Sequence, residues 1–108
     1  MRAAALITKN DSKDFYLTIS ENPCIQVFYD QQWEMFISNV NKMSKQQQCM
    51  MRPIFVTAER VSIHERTLTI STHMLERFNL RDKEFAALVE NDKGFEIWDK
   101  DIYDARSV

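Results

Sequence analysis

Few side chains in this chain carry chemistry. The two histidines, His64 and His73, stand nine residues apart, one in a predicted turn and one at a predicted helix start. Neither has a Ser or Cys at the spacing that activates a nucleophile, and both read as surface or capping residues. Three acids around Trp98 (Glu96, Asp99 and Asp101) are the residue type of paired-carboxylate catalysis. That work needs one of them desolvated in a cleft, and on an edge strand and a helix N-terminus they read instead as solvated acids and favourable dipole partners. Cys24 and Cys49 lie 25 residues apart with no Cys-x-x-Cys and no His pair nearby, which is not a zinc spacing. With no nucleotide, metal or nucleophile motif, an enzyme is the disfavoured class and no metal or cofactor is implied.

The cations point elsewhere. Residues 52–81 hold five Arg against three Glu, and residues 82–104 hold three Lys against eight acids, in a chain of formal net charge -2. Arg60, His64 and Arg66 project near one predicted β-turn, in the segment that also carries Arg52, Arg77 and Arg81. A β-ribbon carrying Arg can enter a DNA groove, where the planar guanidinium pairs bidentately with phosphate or guanine. So few cations on one protomer bind weakly, and appreciable affinity needs several copies presented together. The plainer alternative is a surface hairpin salt-bridged to Glu59 and Glu65.

The elements that position these residues follow from composition and pattern. A length of 108 residues fits one domain, and 44% hydrophobic with 28% charged residues is ordinary for a globular chain. The single Gly is unusual, since average usage of roughly 7% would give about eight. That argues against Gly-rich phosphate loops and tight hairpin-dense β folds, favours helices with longer or Asn- or Asp-based turns, and comes close to excluding a dinucleotide or P-loop nucleotide enzyme. The apolar stretch Ala3–Ile7 is too short for a secretory leader, and no apolar run approaches the roughly 18 residues of a membrane span. The expectation is a cytoplasmic protein with no membrane partner and no small-molecule substrate.

Shifting the sequence by 70 places reveals an internal repeat. FYLTISENPCIQVFYDQQW (15–33) falls on FAALVENDKGFEIWDKDIY (85–103) without a gap, each copy reading as strand, polar turn, strand and helix start. In the second copy Phe95 and Ile97 point one way and Glu96 and Trp98 the other, with Gly94 supplying the turn conformation. Upstream, 58–63 and 67–71 flank His64–Arg66 as a further hairpin, and Ser71 or Thr72 caps a short helix through Asn79. Its counterpart in the first copy would begin at about residue -12, so the first copy lacks its opening hairpin. Between the copies Asp30 reads as the N-cap of a helix through about Gln48, with Trp33, Phe36, Ile37, Val40 and Met43 as its stripe. Pro53 interrupts or ends the segment begun by Cys49, Met50 and Met51. Trp33, Phe36, Ile37 and Val40 are the expected oligomer or partner face. The division is 1–36 incomplete first repeat, 37–57 helical connection and 58–108 second repeat, within one domain.

FEIWDK at 95–100, Leu68-Thr69-Ile70, Leu75, Phe78, Leu80, Glu84 and Leu88-Val89 resemble the second half of MraZ, the bacterial transcriptional regulator built from two AbrB-like repeats. Leu17-Thr18, the Cys24 turn, Val27-Phe28-Tyr29 and Trp33-Glu34 resemble the end of that family's first repeat, so the likeness spans roughly residues 15–104. It implies an α+β fold in which two pseudo-symmetric, swapped-hairpin-like halves pack as one domain, the first incomplete. It further implies a nucleoid-associated homo-oligomer that regulates transcription by binding repeats in double-stranded promoter DNA of the division and cell-wall gene cluster. Of the family's Asp-x-x-Gly-Arg signature, Arg66 matches the Arg, whereas Ser62 stands at the Asp and Glu65 at the Gly. Arg66, Arg60 and His64 are therefore the expected DNA contacts. A structural or interaction protein that keeps the fold and has lost DNA recognition is the alternative.

Overall fold

The computed structural model describes residues 14–62, 68–81 and 86–106. Among them, five strands form one antiparallel sheet in the order β3-β1-β2-β5-β4, with four helices packed on it, an α+β architecture. The strands are β1 (Asp14–Ile19), β2 (Cys24–Tyr29), β3 (Glu59–Ser62), β4 (Ala86–Glu90) and β5 (Gly94–Asp99). The helices are α1 (Asp30–Asn41), α2 (Lys45–Thr57), α3 (Thr72–Arg77) and α4 (Lys100–Arg106). Among the described residues no helix is long and apolar enough to cross a membrane.

Both hairpins form where alternation predicts them, β1 with β2 and β4 with β5. Their second strands then pair with each other, Gln26 opposite Glu96 at the centre and Cys24 opposite Trp98. Gln26 and Glu96 are 70 residues apart, so the repeat found in the sequence meets itself across the middle of the sheet. The gap-free correspondence slips by one outside that centre. Leu17 faces Val27, while Leu88 faces Ile97, the equivalent of Val27. Leu17 therefore matches Leu88, 71 residues on, because the second turn is one residue shorter.

Turn chemistry accounts for the difference. In the first turn the Ser20 hydroxyl accepts from the Asn22 amide at 3.0 Å, and Cys24 N–H donates to the Asn22 carbonyl at 2.7 Å. In the second, Asn91 Oδ1 accepts from the amides of both Lys93 and Gly94 at 3.1 and 3.0 Å, an Asx turn that leads directly into β5.

One face of the sheet is the apolar core. Phe15, Leu17, Ile25, Val27, Phe95 and Ile97 pack there against Leu68, Ile70, Met74, Leu75, Phe78 and Leu80, all buried. The helix α3 is closed by Asn79 at φ 58°, after which Leu80 N–H reaches the Leu75 carbonyl at 2.7 Å. That left-handed residue and its long-reach bond are a standard helix stop. Ser71 is its N-cap residue, but its hydroxyl donates to the Glu59 carboxylate and accepts no helix amide.

Between the hairpins the structure departs from one helix reaching Gln48. The α1 helix ends at Asn41, and Ser44 starts α2 with a full capping box: its hydroxyl accepts from Gln47 N–H and Gln47 Oε1 accepts from Ser44 N–H, both at 3.2 Å. This reciprocal pair satisfies two orphan amides and makes a fresh start cheaper than continuation. The N-cap position of α1 is Tyr29, with no side-chain bond, and Asp30 is the first helical residue. Pro53 does not end α2, which runs on to Thr57; the Thr57 hydroxyl donates to the Pro53 carbonyl at 2.8 Å. Flanked by a capped start and further turns on both sides, the one amide lost to proline is tolerated.

Candidate functional site

The predicted hairpin of 58–63 and 67–71 is represented by β3, which pairs with β1 at the sheet edge, Asp14 opposite Ser62 and Tyr16 opposite Arg60. His64 and Arg66, like Glu65 between them, lie outside the described residues. Of the expected DNA contacts the structure thus places Arg60 alone. Its side chain is 65% exposed, and Nη2 donates to Asp14 Oδ2 at 2.7 Å. The Ser62 hydroxyl donates to the other oxygen of the same carboxylate at 2.7 Å. These two bonds, Ser62 first and Arg60 second, hold the Asp14 carboxyl below its ordinary value, and Asp14 in turn raises the Arg60 guanidinium. Two strands 46 residues apart in sequence thus present one oriented guanidinium at an exposed edge. Among the described residues its one hydrogen-bond partner is Asp14, and charge-assisted bonding to phosphate is the chemistry such a group performs.

On the inner end of β3, Glu59 accepts from the Ser71 hydroxyl, and His73 Nε2 lies 3.6 Å from its carboxylate. His73, within α3, is therefore an exposed partner of Glu59 and not a cap. Arg81 pairs with Glu76, and Arg77 is exposed.

Trp33, Phe36, Ile37 and Val40 are brought together, but largely against the chain's own body. Trp33 stacks on Tyr16 (4.8 Å, 10°) and meets Phe28 and Phe55 at 5.1 and 5.5 Å; Trp33 and Val40 are buried, Phe36 and Ile37 half-buried. Much of the stripe expected as a partner face is thus covered from within the chain: α2 supplies Phe55, because the chain turns back at 42–44. What remains outside is a groove of about 600 Å³ between α1 and α2, lined by Ile37, Val40 and Phe55 and edged by Lys45 and Arg52.

Of the acids near Trp98, Asp99 and Glu96 have structural partners and Asp101 is exposed on α4. Asp99, 2% exposed, accepts from the amides of Asp101 and Ile102 and from Asn79 Nδ2, so it caps α4 and ties it to α3. Glu96 accepts from the Trp98 indole at 3.2 Å. Burial pushes the Cys24 thiol up to about 11, so it is protonated and inert at neutral pH, whereas Cys49 is exposed. No cluster of three metal-ligating side chains occurs among the described residues.

Sequence reasoning missed Asp14, because nothing local marks a residue whose partners lie 46 and 48 positions away. It also missed Gln26 and its partner Asn91, although a polar residue inside the run Cys24–Tyr29 was a signal. No protein-family model matches the chain, and no curated protein does.

Proposed function

We propose that this chain is a MraZ-like regulator of the AbrB fold that binds promoter DNA as a homo-oligomer, with Arg66 and Arg60 on phosphate or guanine. The observation that carries the reading is the central pairing of Gln26 with Glu96: a tandem repeat whose copies pack as one domain accounts both for the 70-residue shift and for this register. Arg60 on the exposed β3 edge supports it, as does the Asp14 carboxylate beside Ser62, where the resemblance would place an Asp in the signature itself. The test is fluorescence anisotropy with duplex promoter repeats at low salt. Binding is expected to weaken steeply with salt, to be reduced roughly tenfold or more by Arg66→Ala, and less by Arg60→Ala. No binding, or binding indifferent to both substitutions, sinks the reading.

The second reading is an interaction protein of the same fold that has lost DNA recognition. The Arg60–Asp14 ion pair favours it, since a guanidinium already matched by a carboxylate gains less from phosphate, and so does the net charge of -2. Light scattering that shows a monomer, together with no DNA shift, selects this reading.

A further inference from the structure

The face of the sheet opposite the core carries a row of polar side chains. Thr18 stands opposite Gln26 and Gln26 opposite Glu96, across β1, β2 and β5. Neighbours in such a row lie about 5 Å apart with their side chains on one face. They line a cavity of about 220 Å³, walled by Phe28, Phe36, Met51 and Ile54 and reached by Lys93. Sites for drug-sized molecules run to roughly 300–1,000 Å³, so this one admits a smaller metabolite.

Three features separate the cavity from a packing gap. Thr18 is 0% exposed, yet its Oγ1 has no hydrogen-bond partner among the described residues. Buried hydroxyls are nearly always paired, and an unpaired one at a cavity wall asks for a polar group from outside the chain. Gln26 cannot turn to meet it. Its Nε2 donates to the carbonyls of Val27 and Phe95 at 3.0 and 3.2 Å, and its Oε1 accepts from Asn91 Nδ2 at 2.8 Å. Finally, the lining holds opposite charges, the carboxylates of Glu21 and Glu96 and the ammonium of Lys93. The Glu96 carboxylate is fixed by the Trp98 indole, and Lys93 extends from a turn fixed by Asn91.

We propose that this cavity binds a small zwitterion of the amino-acid class with an apolar side chain. The ligand's ammonium pairs with Glu96, its carboxylate with Lys93 and the Thr18 hydroxyl, and its side chain lies on Phe28, Phe36, Met51 and Ile54. A ligand with only one charge leaves the other protein charge unmatched, and that asymmetry gives the site its selectivity.

The test is a titration of the full chain with L-leucine, followed by the emission of Trp98, the residue bonded to Glu96, and by melting temperature. Isovalerate and isoamylamine, each carrying one of the two charges, are the comparison ligands. Saturable binding of L-leucine is expected, at least about tenfold tighter than either analogue. Thr18→Val keeps the shape and removes the orphan hydroxyl, so it should weaken L-leucine about tenfold while leaving the melting temperature of the free protein unchanged or higher. Glu96→Gln should weaken L-leucine and leave isovalerate unaffected. The proposal is overturned if L-leucine gives no saturable response up to ~10 mM, well above a millimolar Kd. It is equally overturned if the one-charge analogues bind as well, if Thr18→Val or Glu96→Gln binds L-leucine like the parent, or if Thr18→Val lowers the melting temperature of the free protein.

Discussion

In the first half of the sheet Phe28 is covered by Trp33 and Phe36, with ring centroids 5.1 Å away in each case. At the positions 70 residues on, Trp98 is covered by Tyr103, edge-on at 5.6 Å, and by the Arg106 guanidinium at 4.6 Å from the ring centre. The strand residue and its edge-on partner from the following helix are aromatic in both halves, and only the third position changes character. Phe36 stacks on Phe55 because the chain continues into α2, whereas α4 has no buried residue and its third contact is a cation. A guanidinium can cover an aromatic face while keeping its polar edge in water, which an aromatic ring there could not do. The helix starts differ in the complementary sense. Asp99 caps α4, and its equivalent Tyr29 leaves α1 uncapped, so the half with the larger apolar contact has the weaker local signal.

The comparison predicts unequal costs for equivalent truncations. Trp33→Ala should destabilise the protein by about 4 kcal/mol, since it empties a buried aromatic site shared with Tyr16, Phe28, Phe36 and Phe55. Tyr103→Ala, on the half-buried side, should cost about 1–2 kcal/mol. Urea denaturation of the two variants measures both, and equal losses would mean that α2 contributes nothing to the first half.

A smaller effect separates the two strand starts. Cys24 and Gly94 are equivalent, one opposite Trp98 and the other opposite Phe28. A Cβ at Gly94 would lie 2.3 Å from the Val27 carbonyl oxygen and 3.2 Å from the Tyr29 nitrogen, both backbone atoms that cannot move aside cheaply. Gly94→Ala should therefore cost about 3 kcal/mol and Cys24→Ala about 1 kcal/mol by denaturant midpoint. The single glycine of the chain is thus placed by a close approach at the start of β5 as much as by the turn before it. A Gly94→Ala protein as stable as Cys24→Ala would show that β2 and β5 can separate there without loss.

What could be read in advance divides along the same line. The hairpins were legible because period-two alternation and Asn-based turns are local, and the 70-residue shift was legible because Phe28-Trp33 and Trp98-Tyr103 repeat a contact that both halves need. The one-residue slip between Leu17 and Leu88 was hidden, because a turn that shortens by one leaves the apolar pattern intact on either side. The break at 42–44 was hidden for the opposite reason: Trp33 to Met43 continue one stripe, while Ser44 and Gln47 form their capping box only once the chain has turned. Of the expected contacts, Arg60 lies on β3, within the segment that its β-branched residues mark as a strand. Its orienting partner Asp14 arrives through the pairing of β3 with β1, a long-range contact with no trace in either segment alone.

That pairing supplies the smallest and most selective test. The β1 edge is covered by β3, and Asp14 pins the cover through Ser62 and Arg60, while β4 forms the opposite edge of the sheet. Because the folded carboxyl titrates below its ordinary value of 3.8, its contribution is fully present above that pH and is lost as pH falls through the lower, folded value. Asp14→Asn should thus lower stability slightly at neutral pH and flatten the acid limb of the stability curve relative to the parent. The effect is small, since the pair is exposed and screened by salt. Hydrogen exchange gives the local readout: amides of β3 should lose protection in Asp14→Asn while those of β4 and β5 keep theirs. An acid limb identical in both proteins, or a loss of protection spread evenly over both edges, would mean that β3 is held by its backbone ladder alone and that Arg60 is not oriented by Asp14.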